Sequence, residues 1–275
     1  MKKLGLIAGG GTLPVEIAEH CEQAGRALFV VRLKGFAGSG LADYAGAEVG
    51  IAELGKCFRA LKRAGCEAVC LAGNVSRPDF SALIPDLRGL AILPAAIAAA
   101  GKGDDALLRL LVGEFEKEGF VVEGAHEVMD DLGLPAGPLG RCVPTPEQQA
   151  DVDRALEVAR AIGRLDVGQA AVVCRGLVLA VEAQEGTDHM LARVAELPET
   201  IRGRPGAAAG VLAKAPKPIQ ETRVDLPTIG LATVQGVARA GLKGIAGEAG
   251  RLLVLDREAT IALADELGVF ILGVE

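Results

Sequence analysis

Leu4-Gly5-Leu6-Ile7-Ala8-Gly9-Gly10-Gly11-Thr12-Leu13-Pro14 carries the reading of the fold. An unbroken apolar run, Leu4–Ala8, suits a strand buried on both faces. The glycines that follow allow a tight turn or a close backbone approach to a ligand. Val15–Ala24 then reads as a helix closed by Gly25. The alternation continues downstream. Ala27–Leu33, Ala47–Ala52 and Ala68–Ala72 read as strands, with a helix over Glu53–Ala64 between the last two. Asp104–Lys117 presents Leu107, Leu108, Leu111 and Phe115 on one helical face, with Asp104 and Asp105 at its positive end. Apolar strands alternating with helices imply an α/β chain whose first domain is a Rossmann-like parallel sheet.

The segment Leu134–Pro146 contains Pro135, Gly137, Pro138, Gly140, Pro144 and Pro146, a composition that blocks regular structure. It separates a first domain, 1–134, from a second, 147–275, with 135–146 as linker. The second domain opens on a helix over Pro146–Ile162. Ala170–Cys174 and Leu177–Ala183 flank Arg175-Gly176 as a hairpin. Thr187 or Asp188 then caps a short helix toward Glu196. Strands are expected at Gly210–Ala215, Leu252–Asp256 and Val269–Val274, and helices at Thr228–Ala240 and Glu258–Leu267. This order is α/β but not a second simple Rossmann unit.

Composition narrows the function. Half of the 275 residues are apolar, but only 3% are aromatic and none is Trp. Cores must therefore rest on Ala, Val, Leu and Ile. A net charge of -7 without a basic block argues against nucleic acid as partner. Six scattered cysteines without a CxxC pair suit buried thiols in a reducing compartment. Ala91–Ala100 is apolar but too short to span a bilayer, and the apolar start is broken at Gly9. The expectation is a cytoplasmic protein, compatible with peripheral contact at a membrane surface.

Several runs carry residue types suited to chemistry. In the first βα turn, Gly10, Gly11 and Thr12 suit a phosphate at a helix N-terminus, or simply a turn that needs small residues. The pattern is not GxGxxG, because Pro14 stands at the third glycine position. No acidic residue follows the second strand, which ends Arg32-Leu33-Lys34, so NAD(P) chemistry is disfavoured. Gly73-Asn74-Val75-Ser76-Arg77-Pro78 follows another strand at the same sheet edge, where Asn74 and Arg77 suit base, ribose or phosphate contacts. An ordinary polar loop has the same letters.

Glu182-Ala183-Gln184-Glu185-Gly186-Thr187-Asp188 gathers carboxylates where a strand turns into a helix. Such groups hold Mg²⁺, which usually takes one or two protein carboxylates plus substrate phosphates. The run from Lys214 to Gly230 interleaves Lys214, Lys217 and Arg223 with Glu221 and Asp225, between prolines. Cations grip phosphate and carboxylates hold a hard metal, the pairing that attack on a phosphoric anhydride needs. A solvated surface loop would read the same way. There is no P-loop, GxSxG elbow or HExxH motif.

With those residues assembled, the chain resembles the LpxI family of UDP-2,3-diacylglucosamine pyrophosphatases. The resemblance rests on Leu6–Gly11 with Leu13-Pro14, Gly73–Val75 with Arg77-Pro78, and Gly103-Asp104 with Leu107-Leu108. It rests most specifically on Ala180–Ala183 with Glu185–Asp188, and on Lys217-Pro218 with Arg223–Gly230. Glu221 stands where Asp is expected. The resemblance implies a Mg²⁺-dependent hydrolase of lipid A biosynthesis. Its substrate would be split into UMP and 2,3-diacylglucosamine 1-phosphate (lipid X), with water directed at the sugar-side phosphorus. It also implies a family-specific second domain, with the substrate between the two.

Asp225 matches the family's key catalytic acid and is expected to bind Mg²⁺ or orient the water, with Glu185 and Asp188 completing the carboxylates. Lys214, Lys217 and Arg223 would neutralise the diphosphate. Gly10, Gly11, Thr12, Asn74 and Arg77 would hold the UMP half, and Thr187, Gln220 and Thr228 would touch substrate. Symmetric dimers being the commonest assembly, a homodimer is expected. The competing readings are a nucleotide-sugar sensor without turnover and an NAD(P)-dependent oxidoreductase.

Overall fold

The chain divides into two compact units, Met1–Asp130 with Arg223–Asp225, and Asp131–Thr222 with Leu226–Glu275. The structure is a computed structural model that describes residues 1–76, 82–204, 206–218 and 221–275.

The first unit begins β1 (Leu4–Ala8), α1 (Leu13–Gln23), β2 (Leu28–Leu33), β3 (Gly46–Val49), α2 (Leu54–Arg63) and β4 (Ala68–Ala72). It continues α3 (Leu87–Ala100), α4 (Asp104–Lys117), β5 (Val121–Val122) and α5 (Ala125–Val128). The strands form a parallel sheet in the order β3-β2-β1-β4-β5. The chain winds outward one way from β1 to β3, then returns to place β4 on the other side of β1. That reversal leaves a crevice at the carboxyl ends of β1 and β4, the place where open α/β sheets bind ligands. Both strands are buried along nearly their whole length, as their apolar runs required. Phe58, Phe115 and Phe120 pack together in the core, Phe58 meeting Phe115 edge-on at 5.2 Å.

The second unit holds β6 (Gly137–Leu139), α6 (Pro146–Arg164), β7 (Ala170–Cys174), β8 (Leu177–Val181), α7 (Gly186–Ala195) and β9 (Val211–Lys214). It ends with β10 (Thr228–Ile229), α8 (Leu231–Arg239), β11 (Gly244–Glu248), β12 (Leu253–Val254), α9 (Arg257–Leu267) and β13 (Phe270–Val274). Six strands form one mixed sheet, β6-β13-β11-β9-β7-β8, in which β9, β11 and β13 run parallel. Strand alternation sorts the side chains into two cores. Ala170, Val172, Leu212, Ile245 and Ile271 pack with α7, α8 and α9. Ala171, Val173, Val211, Ala213, Ala246 and Phe270 pack with α6. Gly244 is forced by this packing, since a Cβ there would lie 2.1 Å from the Phe270 ring.

The second domain is thus α/β without being a second Rossmann unit, as expected. Three local expectations shift. The Pro/Gly-rich stretch is not a bare tether, because Gly137–Leu139 pairs antiparallel with β13. Pro138 is tolerated there because β6 is an edge strand, where a missing N–H breaks no inner ladder. The helix expected from Thr228 starts only at Leu231, after Thr228 and Ile229 pair with Leu253 and Val254. The short helix after β8 is N-capped by Glu185, which leaves Thr187 and Asp188 inside its first turn. The Arg175-Gly176 hairpin forms as read, with both residues at positive φ and both amides donating to the buried Asp151 carboxylate. No helix among the described residues is long and apolar enough to cross a membrane. All six cysteines are free thiols, and burial pushes Cys57 and Cys70 up to about 12.

Candidate functional site

In the first unit the glycine loop and the Asn74 loop are zipped together at the carboxyl ends of β1 and β4. Gly10 and Asn74 exchange backbone hydrogen bonds, each N–H donating to the other's carbonyl at 2.8 Å. This explains two glycines without any ligand. A Cβ on Gly9 would lie 2.8 Å from the Asn74 carbonyl, and one on Gly73 would lie 2.5 Å from the Gly10 carbonyl. Gly73 also has φ +93° and Gly11 has φ +88°, both in the region that favours glycine. Gly11 makes no such close contact. Beyond it, Thr12 opens α1 without a side-chain cap and is exposed. The exposed Gly11, Thr12 and Asn74 therefore line the crevice, while Gly9 and Gly73 serve packing. Arg77 lies outside the described residues.

Arg223 and Asp225 belong to this same unit. Arg223 pairs with Glu116 at 2.8 Å, and its backbone runs against Gly124. Asp225 is half-buried.

In the second unit a buried polar network occupies one edge of the mixed sheet. β7 runs antiparallel to both its neighbours, so β8 and β9 run in the same direction and end at the same edge. Each ends in a charged group, Glu182 just past β8 and Lys214 at the last position of β9. Lys214 is only 4% exposed and Glu182 only 6%. Burial of isolated charges of this kind is costly unless they are bonded. Here Thr187, from the first turn of α7, joins them. Its hydroxyl donates to Glu182 Oε1 at 2.6 Å and accepts from Lys214 Nζ at 3.0 Å. Lys214 Nζ also donates to the Thr228 carbonyl at 2.9 Å, and the Gln169 N–H donates to Glu182 Oε2 at 3.1 Å. The network thus brings together Lys214, Thr187 and Thr228, three of the expected site residues, with Glu182.

The remaining expected residues are placed differently. Lys217 is held by Asp166 at 2.7 Å. Glu185 is paired with the Arg193 guanidinium at 2.5 Å; its own backbone N–H and that guanidinium hold its carboxyl below the usual range. Asp188 is exposed. Among the described residues no three His, Cys, Asp or Glu gather as a metal site. Of the expected carboxylates, Asp225 belongs to the first unit, Asp188 and Glu185 to the second, and Glu185 is turned to Arg193. The donor chemistry still suits a hard cation, but with one or two carboxylates and the rest from phosphate and water. Gln220 lies outside the described residues. Sequence reading missed Asp166 and Gln169, which carry no motif and reach the site only through the turn before β7.

With this geometry in hand, comparison with known proteins is informative. Residues 3–132 match the model of the LpxI N-terminal domain, and residues 135–272 match that of the LpxI C-terminal domain. The chain is 70% identical over 275 residues, all of it and 98% of the relative, to the UDP-2,3-diacylglucosamine pyrophosphatase LpxI of Caulobacter vibrioides. Two of the solved structures that it matches resemble it far less. The biotin carboxylase subunit of pyruvate carboxylase overlaps 63% of this chain and 35% of its own, at 12% identity and a TM-score of 0.24. N5-carboxyaminoimidazole ribonucleotide synthetase from Thermotoga maritima overlaps 66% and 42%, at 13% identity and a TM-score of 0.23. Those overlaps are too slight to carry an argument. Both halves match, in order and nearly end to end, and the chain belongs to the LpxI family.

Proposed function

We propose that this protein hydrolyses UDP-2,3-diacylglucosamine to UMP and 2,3-diacylglucosamine 1-phosphate, a step of lipid A biosynthesis. The observation that carries the reading is the 70% identity over the whole chain to a pyrophosphatase of that name. The crevice geometry and the buried cation agree with it.

In this reading the oxygen of water attacks the sugar-side phosphorus. The bond from that phosphorus to the bridging oxygen breaks, and UMP leaves with the bridging oxygen. Asp225 orients the water and accepts its proton as the new bond forms. Lys214 places a preset ammonium where negative charge grows, and its bonds to Thr187 and the Thr228 carbonyl spare reorganisation at that moment. Thr187 and Glu182 hold that ammonium in position. Gly10, Gly11, Thr12 and Asn74 receive the uridylate half at the β1–β4 crevice. Lys217 and Arg223 add positive charge after exchanging their carboxylate partners for phosphate. Mg²⁺ would supply charge neutralisation on the diphosphate, with the carboxylates of Asp225, Asp188 and Glu185 as its candidate ligands.

A homodimer and transient contact with the cytoplasmic face of the inner membrane belong to the same proposal. The test is release of UMP from the diacylated substrate in detergent, with Mg²⁺, with chelator, and after Mg²⁺ is restored. Release that stops with chelator and returns with Mg²⁺ is expected. Binding of substrate without release under any divalent cation would instead make the protein a sensor.

A further inference from the structure

α3 presents an outer face without a single polar side chain. At about 100° per residue its exposed positions sweep an arc of about 160°. That arc holds Leu87, Leu90, Pro94 and Ile97 with alanines between them. Leu87 is 88% exposed, Leu90 57% and Ile97 49%, and Ile84 just ahead of the helix is 87% exposed. Other helices of this chain show water what helices usually show. α6, for example, exposes Glu147, Asp153, Arg154 and Glu157.

The outer arc cannot be turned inward, because the inner face is fixed. Asp86 caps α3 through the Gly89 N–H and also accepts from the Gly55 and Lys56 amides at the start of α2. Gly89 is pressed against the Ala52 carbonyl, where a Cβ would lie 1.9 Å away. Arg88 is tied to Glu114 of α4 at 2.9 Å.

The size of the face selects its occupant. A helix of 14 residues is about 21 Å long and about 10 Å wide, so its outer face offers about 200 Å². A stable protein interface needs about 800 Å² from each partner, so a second copy would not be held by this face alone. A bilayer needs no matching surface, and an apolar helical face without carboxylates enters the headgroup boundary without burying charge.

We infer that α3, with Ile84 ahead of it, is the surface by which this protein seats on a lipid bilayer. The choice of a bilayer rests on the reading of the substrate as a diacylated lipid. The net charge of -7 makes this an apolar anchor and not an electrostatic one. On anionic vesicles, salt then screens a repulsion, so binding holds or strengthens as ionic strength rises.

The chain has no Trp, so an introduced one reports its own surroundings. Leu87→Trp, with Asp153→Trp on α6 as reference, is titrated with vesicles of phosphatidylethanolamine and phosphatidylglycerol. The expected result is a blue shift with vesicles at position 87 and none at 153. Binding should fall about tenfold or more in L87E/L90E. Hydrolysis of detergent-dispersed substrate by L87E/L90E should stay at the wild-type level, which separates this inference from the hydrolase reading. Four results would overturn it: equal shifts at both positions, a blue shift at 87 without vesicles, binding that collapses with salt, or a concentration-dependent dimer that L87E/L90E abolishes. Loss of UMP release with vesicle binding intact would overturn the hydrolase reading alone. Helical circular dichroism of L87E/L90E checks folding, and the Trp pair decides the matter if that variant fails to fold.

Discussion

Thr187→Val removes one oxygen and nearly no volume, at a point where two buried charges meet. The hydroxyl donates to Glu182 at 2.6 Å and accepts from Lys214 at 3.0 Å. Hydrogen bonds to charged groups contribute about 1.5–3 kcal/mol each, and valine fills the space so no cavity term is added. Both partners keep a second bond, Lys214 to the Thr228 carbonyl and Glu182 to the Gln169 amide, so neither charge is orphaned. The loss should therefore sit near the low end for two bonds, about 3 kcal/mol, or a fall in Tm of about 6–12 °C. Urea unfolding of the wild type, T187V and T187S measures it. T187S keeps the oxygen and should stay within about 1 kcal/mol of wild type. In the hydrolysis assay T187V should lower kcat by about tenfold or more, because a loosened ammonium is worth about 1.4 kcal/mol or more in the transition state. A T187V protein as stable and as active as the wild type would refute the network's role.

Three further outcomes follow from particular contacts. Asp225→Ala should reduce hydrolysis by at least about a hundredfold while substrate binding by calorimetry persists, since the step it serves is proton transfer and water orientation. Asp86→Ala should cost about 2 kcal/mol in chemical denaturation, because one carboxylate caps α3 and bonds the first amides of α2. Burial raises the Asp86 pKa, but those backbone donors outweigh it and leave the carboxyl below its ordinary 3.8. A depressed acid stabilises the fold above its unfolded pKa, so this contribution should be present at neutral pH and fade as pH falls below about 4. D86A should therefore converge with wild type in acid. Gly73→Ala should destabilise by about 2–4 kcal/mol, since it forces a Cβ against the Gly10 carbonyl at positive φ.

Much of the first unit was legible because its signals are local, although α3 was not read as a helix and the third strand, expected at Ala47–Ala52, is Gly46–Val49. Leu4–Ala8 and Ala68–Ala72 are buried apolar runs bounded by glycine, and both strands fall where the runs predict. Asp104–Lys117 keeps strict helical spacing and is a helix over that span. What escaped depends on pairing at long range. Gly244–Glu248 holds two glycines in five residues and reads poorly as a strand, yet lies at the centre of a sheet because β9 and β13 bracket it. Gly137–Leu139 looks like a linker until β13 supplies a partner. Within the site, the Glu182–Asp188 run and Lys214 were visible as chemistry. Their joining through Thr187 was not, because it depends on β8 and β9 ending at one edge. The partners of Lys217 and Arg223, Asp166 and Glu116, were equally hidden by sequence distance.

The central claim is hydrolysis at the sugar-side phosphorus, and turnover in ¹⁸O-labelled water tests it most directly. UDP-2,3-diacylglucosamine is incubated with the protein and Mg²⁺, with Asp225→Ala as the blank, and both products are weighed by mass spectrometry. The account predicts one ¹⁸O in 2,3-diacylglucosamine 1-phosphate and none in UMP. Label in UMP would place the attack on the other phosphorus and contradict it.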